Sequence, residues 1–136
     1  MSHKSQFSLY TDGGARGNPG PGGIGVVIKK GDEVVFQKGK SIGHSTNNQA
    51  EYKALILGLE ELSRLTEGEV VCFLDSELIV KQLNGEYRVK DEGLKPLFSE
   101  VLKLKEKFAR IKFEHIKREK NKLADSLVNQ ALDGRN

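Results

Sequence analysis

The sequence predicts an α/β domain in which a five-stranded mixed sheet is covered by helices, in the order βββαβααβα. Three observations carry that prediction. Three strand-like runs open the chain, the second and third joined by a tight-turn signal, which is the pattern of an antiparallel meander. Segments with apolar residues at helical spacing then alternate with further strand-like runs. One of these runs, Val70-Val71-Cys72-Phe73-Leu74-Asp75, stays apolar until its terminal acid, as a parallel strand buried on both faces does.

Phe7 to Asp12 reads as the first strand, and Gly13 to Gly23, with its glycines and prolines, reads as a loop rather than regular structure. Gly25 to Lys30 and Val34 to Ser41 are the second and third strands, joined around Lys30-Gly31-Asp32. Ser45-Thr46-Asn47-Asn48 starts a helix that carries Leu55, Leu59, Leu62 and Leu65 and ends at Thr66-Glu67-Gly68. After the fourth strand, Ser76 caps a short helix from Glu77 to Leu83. A polar connection from Asn84-Gly85 leads to a helix over Leu94 to Phe108, with Pro96 tolerated in its first turn. Ile111 to Ile116 is the fifth strand, and Asn121 starts a last helix to about Leu132, beyond which the chain is expected to fray. With no repeat or linker visible, one domain over residues 1–136 is expected.

A chain of 136 residues, 37% hydrophobic and 30% charged with 15 glycines, can bury a core and fits neither disorder nor a membrane protein. No apolar run approaches the ~18 residues of a spanning helix, and Met1 to Phe7 lacks a secretory signal, so a soluble cytoplasmic protein is expected. The single cysteine, Cys72, excludes an internal disulfide and a cysteine-based zinc site and reads as core. The net charge of +3 is unevenly spread: residues 51–77 hold seven acids and two bases, residues 103–122 nine bases and three acids. A polyanion partner with a bound cation needs both kinds of segment, although basic residues also simply solvate helix faces.

The carboxylates locate the chemistry. Asp12 and Asp75 close the first and fourth strands, and ligands of open α/β sheets bind beyond such strand ends. Glu51 lies in line with Leu55, Gly58, Leu62 and Leu65 on the apolar face of its helix, and Asp125 sits at the edge of the face formed by Ala124, Leu127, Val128 and Ala131. Taken singly these acids also fit a turn, a helix cap and two helix-dipole partners. Converging, they would repel one another by several kcal/mol without a cation. An all-oxygen set with no His or Cys selects Mg²⁺ or Mn²⁺, and two such ions form the clamp used for in-line displacement at phosphorus. The glycine loop lacks the pattern of a nucleotide P-loop and is first a hairpin, in which small residues let a nucleic-acid backbone come close.

Tyr10-Thr11-Asp12-Gly13-Gly14-Ala15-Arg16-Gly17-Asn18-Pro19-Gly20, Thr46-Asn47-Asn48-Gln49-Ala50-Glu51-Tyr52, Asp75-Ser76-Glu77 and Asn121-Lys122-Leu123-Ala124-Asp125, in order from about residue 7 to 132, together resemble type 1 ribonuclease H. The resemblance implies the ribonuclease H fold, with strand order 3-2-1-4-5, and endonucleolytic cleavage of the RNA strand of an RNA–DNA hybrid with two Mg²⁺ ions, for which Mn²⁺ can substitute. By position, Asp12, Glu51, Asp75 and Asp125 match the family's metal-binding acids. Asn47 matches a residue that reads the hybrid's minor groove, and Thr46 one at the DNA-phosphate pocket. Gly13, Gly14, Arg16, Gly17, Asn18, Asn48 and Gln49 complete the substrate-binding set implied in this way. A monomer is expected.

The chain departs from the family pattern twice. The loop from His115 to Asn121 is short and lacks the family's catalytic histidine; His115 matches a strand residue, expected to be packed or hydrogen-bonded, and Arg118 is expected to reach the phosphate instead. The region after Leu83 lacks the tryptophan-bearing basic protrusion, with Tyr87, Arg88 and Lys90 as partial replacements. The shorter pattern resembles the archaeal-type subgroup, some members of which act on double-stranded RNA. A catalytically silent module that binds hybrid or double-stranded RNA, and another nuclease or resolvase on the same fold, are the competing functions.

Overall fold

The structure, a computed structural model, describes residues 6–134, so the expected fraying beyond them lies outside the described residues. Its sheet is built from β1 (Phe7–Ala15), β2 (Gly20–Lys30), β3 (Glu33–Ser45), β4 (Glu69–Leu74) and β5 (Arg110–His115). The spatial order is β3-β2-β1-β4-β5. β1, β2 and β3 pair antiparallel, while β4 runs parallel to both β1 and β5. The helices are α1 (Asn47–Ser63), α2 (Glu77–Leu83), α3 (Lys95–Lys105) and α4 (Lys122–Leu132), with a 3₁₀ turn at Arg118–Lys120.

The main core lies between one sheet face and α1, α2 and α3. Leu9, Val26, Ile28, Cys72 and Leu74 from the strands meet Tyr52, Leu55, Leu59, Leu62 and Val101, all fully buried. Cys72 is core, as expected, and its burial raises the thiol pKa far above the ordinary value. Leu65 falls past the end of α1 and is exposed. On the opposite face α4 covers only β1, β2 and β3, where Ala124 and Leu127 pack on Val27. The expectation that β4 is buried on both faces is therefore corrected. Val70, Cys72 and Leu74 are buried, but Val71 and Phe73 are only half-covered, because no helix lies over that side of β4 among the described residues. Phe73 stacks there on Tyr10, with ring centroids 4.9 Å apart.

The glycine-rich stretch is the second correction. Gly13 to Ala15 continue β1 and Gly20 to Gly23 open β2, with Gly13↔Ile24, Gly14↔Gly23 and Ala15↔Gly22 in register. Only Arg16 to Pro19 form the tip. At two positions the strand residue has to be glycine because a helix presses on it. A Cβ on Gly13 would stand 2.4 Å from the backbone of Ala50 in α1, and one on Gly25 would stand 2.2 Å from the Ala124 carbonyl oxygen in α4. Side chains at either position would push the helix off the sheet.

Candidate metal centre and nucleic-acid interface

Those two contacts set the depth of the site. Ala50 and Ala124 immediately precede Glu51 and Asp125, so close helix–strand approach at Gly13 and Gly25 carries both carboxylates to the ends of the strands. The parallel pairing of β1 with β4 ends at Thr11↔Leu74. Asp12 and Asp75 are the next residue on each chain, side by side in the crevice, although β1 itself runs three residues further against β2.

Asp12, Glu51 and Asp75 each offer an oxygen within 4.8 Å of the others. Burial, then Asp75 and Asp125, push the Asp12 carboxyl up to about 8. Burial, then Asp12 and Asp75, raise Glu51 well above the ordinary carboxylate range. The Gly13 amide donates to Asp12 Oδ1 at 3.0 Å, while the buried Glu51 Oε1 has no hydrogen-bond partner among the described residues. Clustered, dehydrated oxygens that resist ionisation and are left unpaired are what a hard divalent cation would satisfy, so these residues fit Mg²⁺ or Mn²⁺.

Asp125 borders the same cleft of about 490 Å³, and Arg118 Nη2 lies 3.5 Å from its Oδ1. The Arg118 side chain is 79% exposed, so it stands at the rim of the cleft. His115 does not behave as expected. It shares a face with Ile111 and Phe113 but stands at the end of β5, past the core, and is exposed.

The residues implied by resemblance to touch substrate line the hairpin tip and the start of α1, where they also hold each other. Thr46 and Gln49 form a capping box: Thr46 Oγ1 accepts from the Gln49 amide at 3.1 Å and Gln49 Oε1 accepts from the Thr46 amide at 3.0 Å. Asn47 Oδ1 accepts from the Ala15 amide at 2.8 Å, and Asn18 Oδ1 accepts from the Asn47 amide at 3.0 Å. These bonds fix the tip on α1, with Asn47 exposed at the start of that helix. Arg16 is drawn away to the end of α4, where it pairs with Asp133 and donates to the Leu132 carbonyl at 3.4 Å. Gly14 and Gly17 belong to the same hairpin, Gly17 at φ 83°, and Asn48 lies half-buried in the first turn of α1.

Sequence reasoning missed the role of one side chain, Asn121. Read as the start of the last helix, it makes no capping hydrogen bond. Its amide turns inward instead, donating to the Thr11 carbonyl at 2.9 Å and to Asp75 Oδ2 at 3.0 Å.

A family model described as reverse transcriptase-like matches residues 10–131. The chain is 41% identical over 127 residues to a bifunctional protein of Mycobacterium tuberculosis, covering 92% of this chain but only 35% of that protein. It is 40% identical over 141 residues to a ribonuclease H of Pseudomonas putida, covering 92% of each. Among solved structures, LC11-RNase H1 in complex with an RNA/DNA hybrid superposes with a TM-score of 0.90 at 46% identity, covering 95% of this chain and 98% of that one.

Proposed function

The chain belongs to the ribonuclease H family, and from that premise we propose that it hydrolyses the RNA strand of RNA–DNA hybrids, acting as a cytoplasmic monomer, with a capacity for double-stranded RNA as well. The observation that carries this reading is the convergence of Asp12, Glu51 and Asp75, with oxygens within 4.8 Å of one another, at the end of parallel strands. The Pseudomonas putida relative is a ribonuclease H, and one solved relative is bound to a hybrid.

Asp12, Glu51, Asp75 and Asp125 would hold two Mg²⁺ ions, with Mn²⁺ as a substitute. When bound, these supply a nucleophile from water at neutral pH and neutralise charge on the phosphate and the departing oxygen. The chain's own residues do the rest. The four carboxylates, held by backbone on two strands and two helices, preset the positions of that charge, so little reorganises during reaction. Arg118, always protonated, cannot act as a base; its guanidinium binds the phosphate and steadies charge on the leaving group. Asn47 directs its NH₂ at acceptors of the wide minor groove, where the RNA 2′-hydroxyl distinguishes the strands. Thr46 and Gln49, with Asn48 beside them, place the start of α1 against the second strand's phosphates.

Water adds to phosphorus, the bond to the 3′ oxygen breaks, and that oxygen leaves as the hydroxyl. The products are 3′-hydroxyl and 5′-phosphate ends. Labelled RNA–DNA, RNA–RNA and DNA–DNA duplexes, each incubated with Mg²⁺ and with EDTA, test the reading on one gel. The expected outcome is Mg²⁺-dependent cutting of RNA in the hybrid, weaker cutting of the RNA duplex and none of DNA; a 2′,3′-cyclic phosphate product or undiminished cutting in EDTA refutes it.

A further inference from the structure

Asn121 is 2% exposed and stands at the N-cap of α4, where an asparagine ordinarily accepts a hydrogen bond from the first turn. It gives that bond up. Both hydrogens of its Nδ2 are used: one goes to the Thr11 carbonyl at 2.9 Å, the other to Asp75 Oδ2 at 3.0 Å. Both partners are acceptors, which fixes which end of the amide faces them. Its own Oδ1 is left buried with no partner among the described residues. A buried carbonyl left unpaired carries its full desolvation penalty, so an arrangement serving helix stability alone would turn the side chain the other way.

The two acceptors are those at which the site is assembled. Thr11 is the last β1 residue paired with β4 and precedes Asp12, so the amide supplies the next rung of a ladder that has just ended. The backbone of Asn121 completes the set, its carbonyl accepting from the Asp125 amide at 3.1 Å. One residue thus ties together the segments carrying Asp12, Asp75 and Asp125, drawn from β1, the end of β4 and α4.

We propose that Asn121 is a positioning residue of the metal centre: by donating to Thr11 and Asp75 at once, it fixes the Asp75 carboxylate relative to Asp12 and so sets the oxygen that would hold a cation. It rests on the metal-dependent reading above. It also separates positioning from capping. Serine is a good N-cap but too short to reach both acceptors, so a capping role predicts that Asn121→Ser behaves as the unaltered protein. Positioning predicts that Asn121→Ser and Asn121→Ala both fail at the site while α4 persists.

Three readouts decide it, two of them independent of catalysis. The first is the rise in Tm that saturating MgCl₂ produces over EDTA without nucleic acid, expected to fall to about half or less in both variants through lost ligand geometry. The second is steady-state cleavage of an RNA–DNA hybrid, in which kcat is expected to drop at least ~10-fold while KM stays within about threefold. The third uses the unaltered protein: the Asn121 side-chain amide resonances are expected to shift on titration with MgCl₂, which keeps the inference testable even if neither variant folds. A folded Asn121→Ser with an unchanged metal-induced rise in Tm and unchanged kcat overturns it, as do amide resonances indifferent to MgCl₂. A protein that binds Mg²⁺ through this network yet cuts no hybrid would instead defeat the functional reading and leave the positioning intact.

Discussion

Asp12→Asn should stabilise the metal-free protein, and by an amount that grows with pH. In the folded chain the Asp12 carboxyl is pushed from 3.8 to about 8, first by burial and then by Asp75 and Asp125. An acid whose pKa is raised on folding contributes stability that is fully present below its unfolded pKa and is lost as pH rises through the folded one. The unaltered protein without metal therefore loses stability between about pH 4 and about pH 8. Each tenfold change in proton affinity is worth about 1.4 kcal/mol, so the four decades set a ceiling of roughly 6 kcal/mol. The proton is shared within the cluster, so only part of that ceiling belongs to Asp12 alone. With an unfolding entropy of about 0.3 kcal/mol per degree for a chain of this length, each kcal/mol gained raises Tm by roughly 3–4 °C, and the ceiling corresponds to roughly 20 °C. The asparagine keeps the oxygen that accepts from the Gly13 amide, so no new buried donor is orphaned. Thermal unfolding followed by far-UV circular dichroism in EDTA, at several values from about pH 4 to about pH 9, measures the difference. It should be near zero at the acid end and largest at the alkaline end. A difference that is flat with pH, or a variant less stable than the unaltered protein at the alkaline end, would show that ionised Asp12 does not oppose folding.

Three further outcomes are expected. Arg118→Ala should lower single-turnover cleavage by at least ~10-fold, about 1.4 kcal/mol in the barrier, with a smaller loss of hybrid affinity; His115→Ala, at an exposed strand end, should leave both turnover and Tm nearly unchanged. Asn47→Ala should weaken hybrid binding at every salt concentration, whereas removing Lys117 or Lys120 should mainly flatten its salt dependence, which affinities at two ionic strengths would separate. Gly13→Ala places a methyl 2.4 Å from the Ala50 backbone. It should cost about 1–3 kcal/mol of stability by overpacking and displace Glu51, read as a lower Tm together with a reduced effect of Mg²⁺.

The parts of the site that depend on chain direction and helical phase were legible in the sequence. An acid ending each of two neighbouring parallel strands has to appear at one mouth, and the apolar line through Leu55 and Leu62 carries Glu51 inward with it. What needed the structure was anything decided by where one layer stops. The alternation along Ile111, Phe113 and His115 does not say that the core ends before His115, and the apolar run of β4 does not say that α4 lies over β1 to β3 only. Glycine composition marks a turn equally well whether the chain bends or a helix presses close, so Gly13 and Gly25 became intelligible only once Ala50 and Ala124 were seen against them. Asn121 was hidden for a similar reason: an asparagine before a helix is the ordinary signature of a cap, and its inward turn is set by Thr11 and Asp75, distant in sequence.

The most direct test of the account is the single-turnover rate at which the RNA strand of an RNA–DNA duplex is cut at saturating Mg²⁺ by the unaltered protein and by Asp75→Asn. This substitution preserves shape while removing one of the three clustered charges. The expected result is cutting by the unaltered protein that EDTA abolishes, and a folded Asp75→Asn protein with no measurable cutting at any Mg²⁺ concentration. An Asp75→Asn rate close to that of the unaltered protein would contradict the assignment of these carboxylates to a catalytic metal centre.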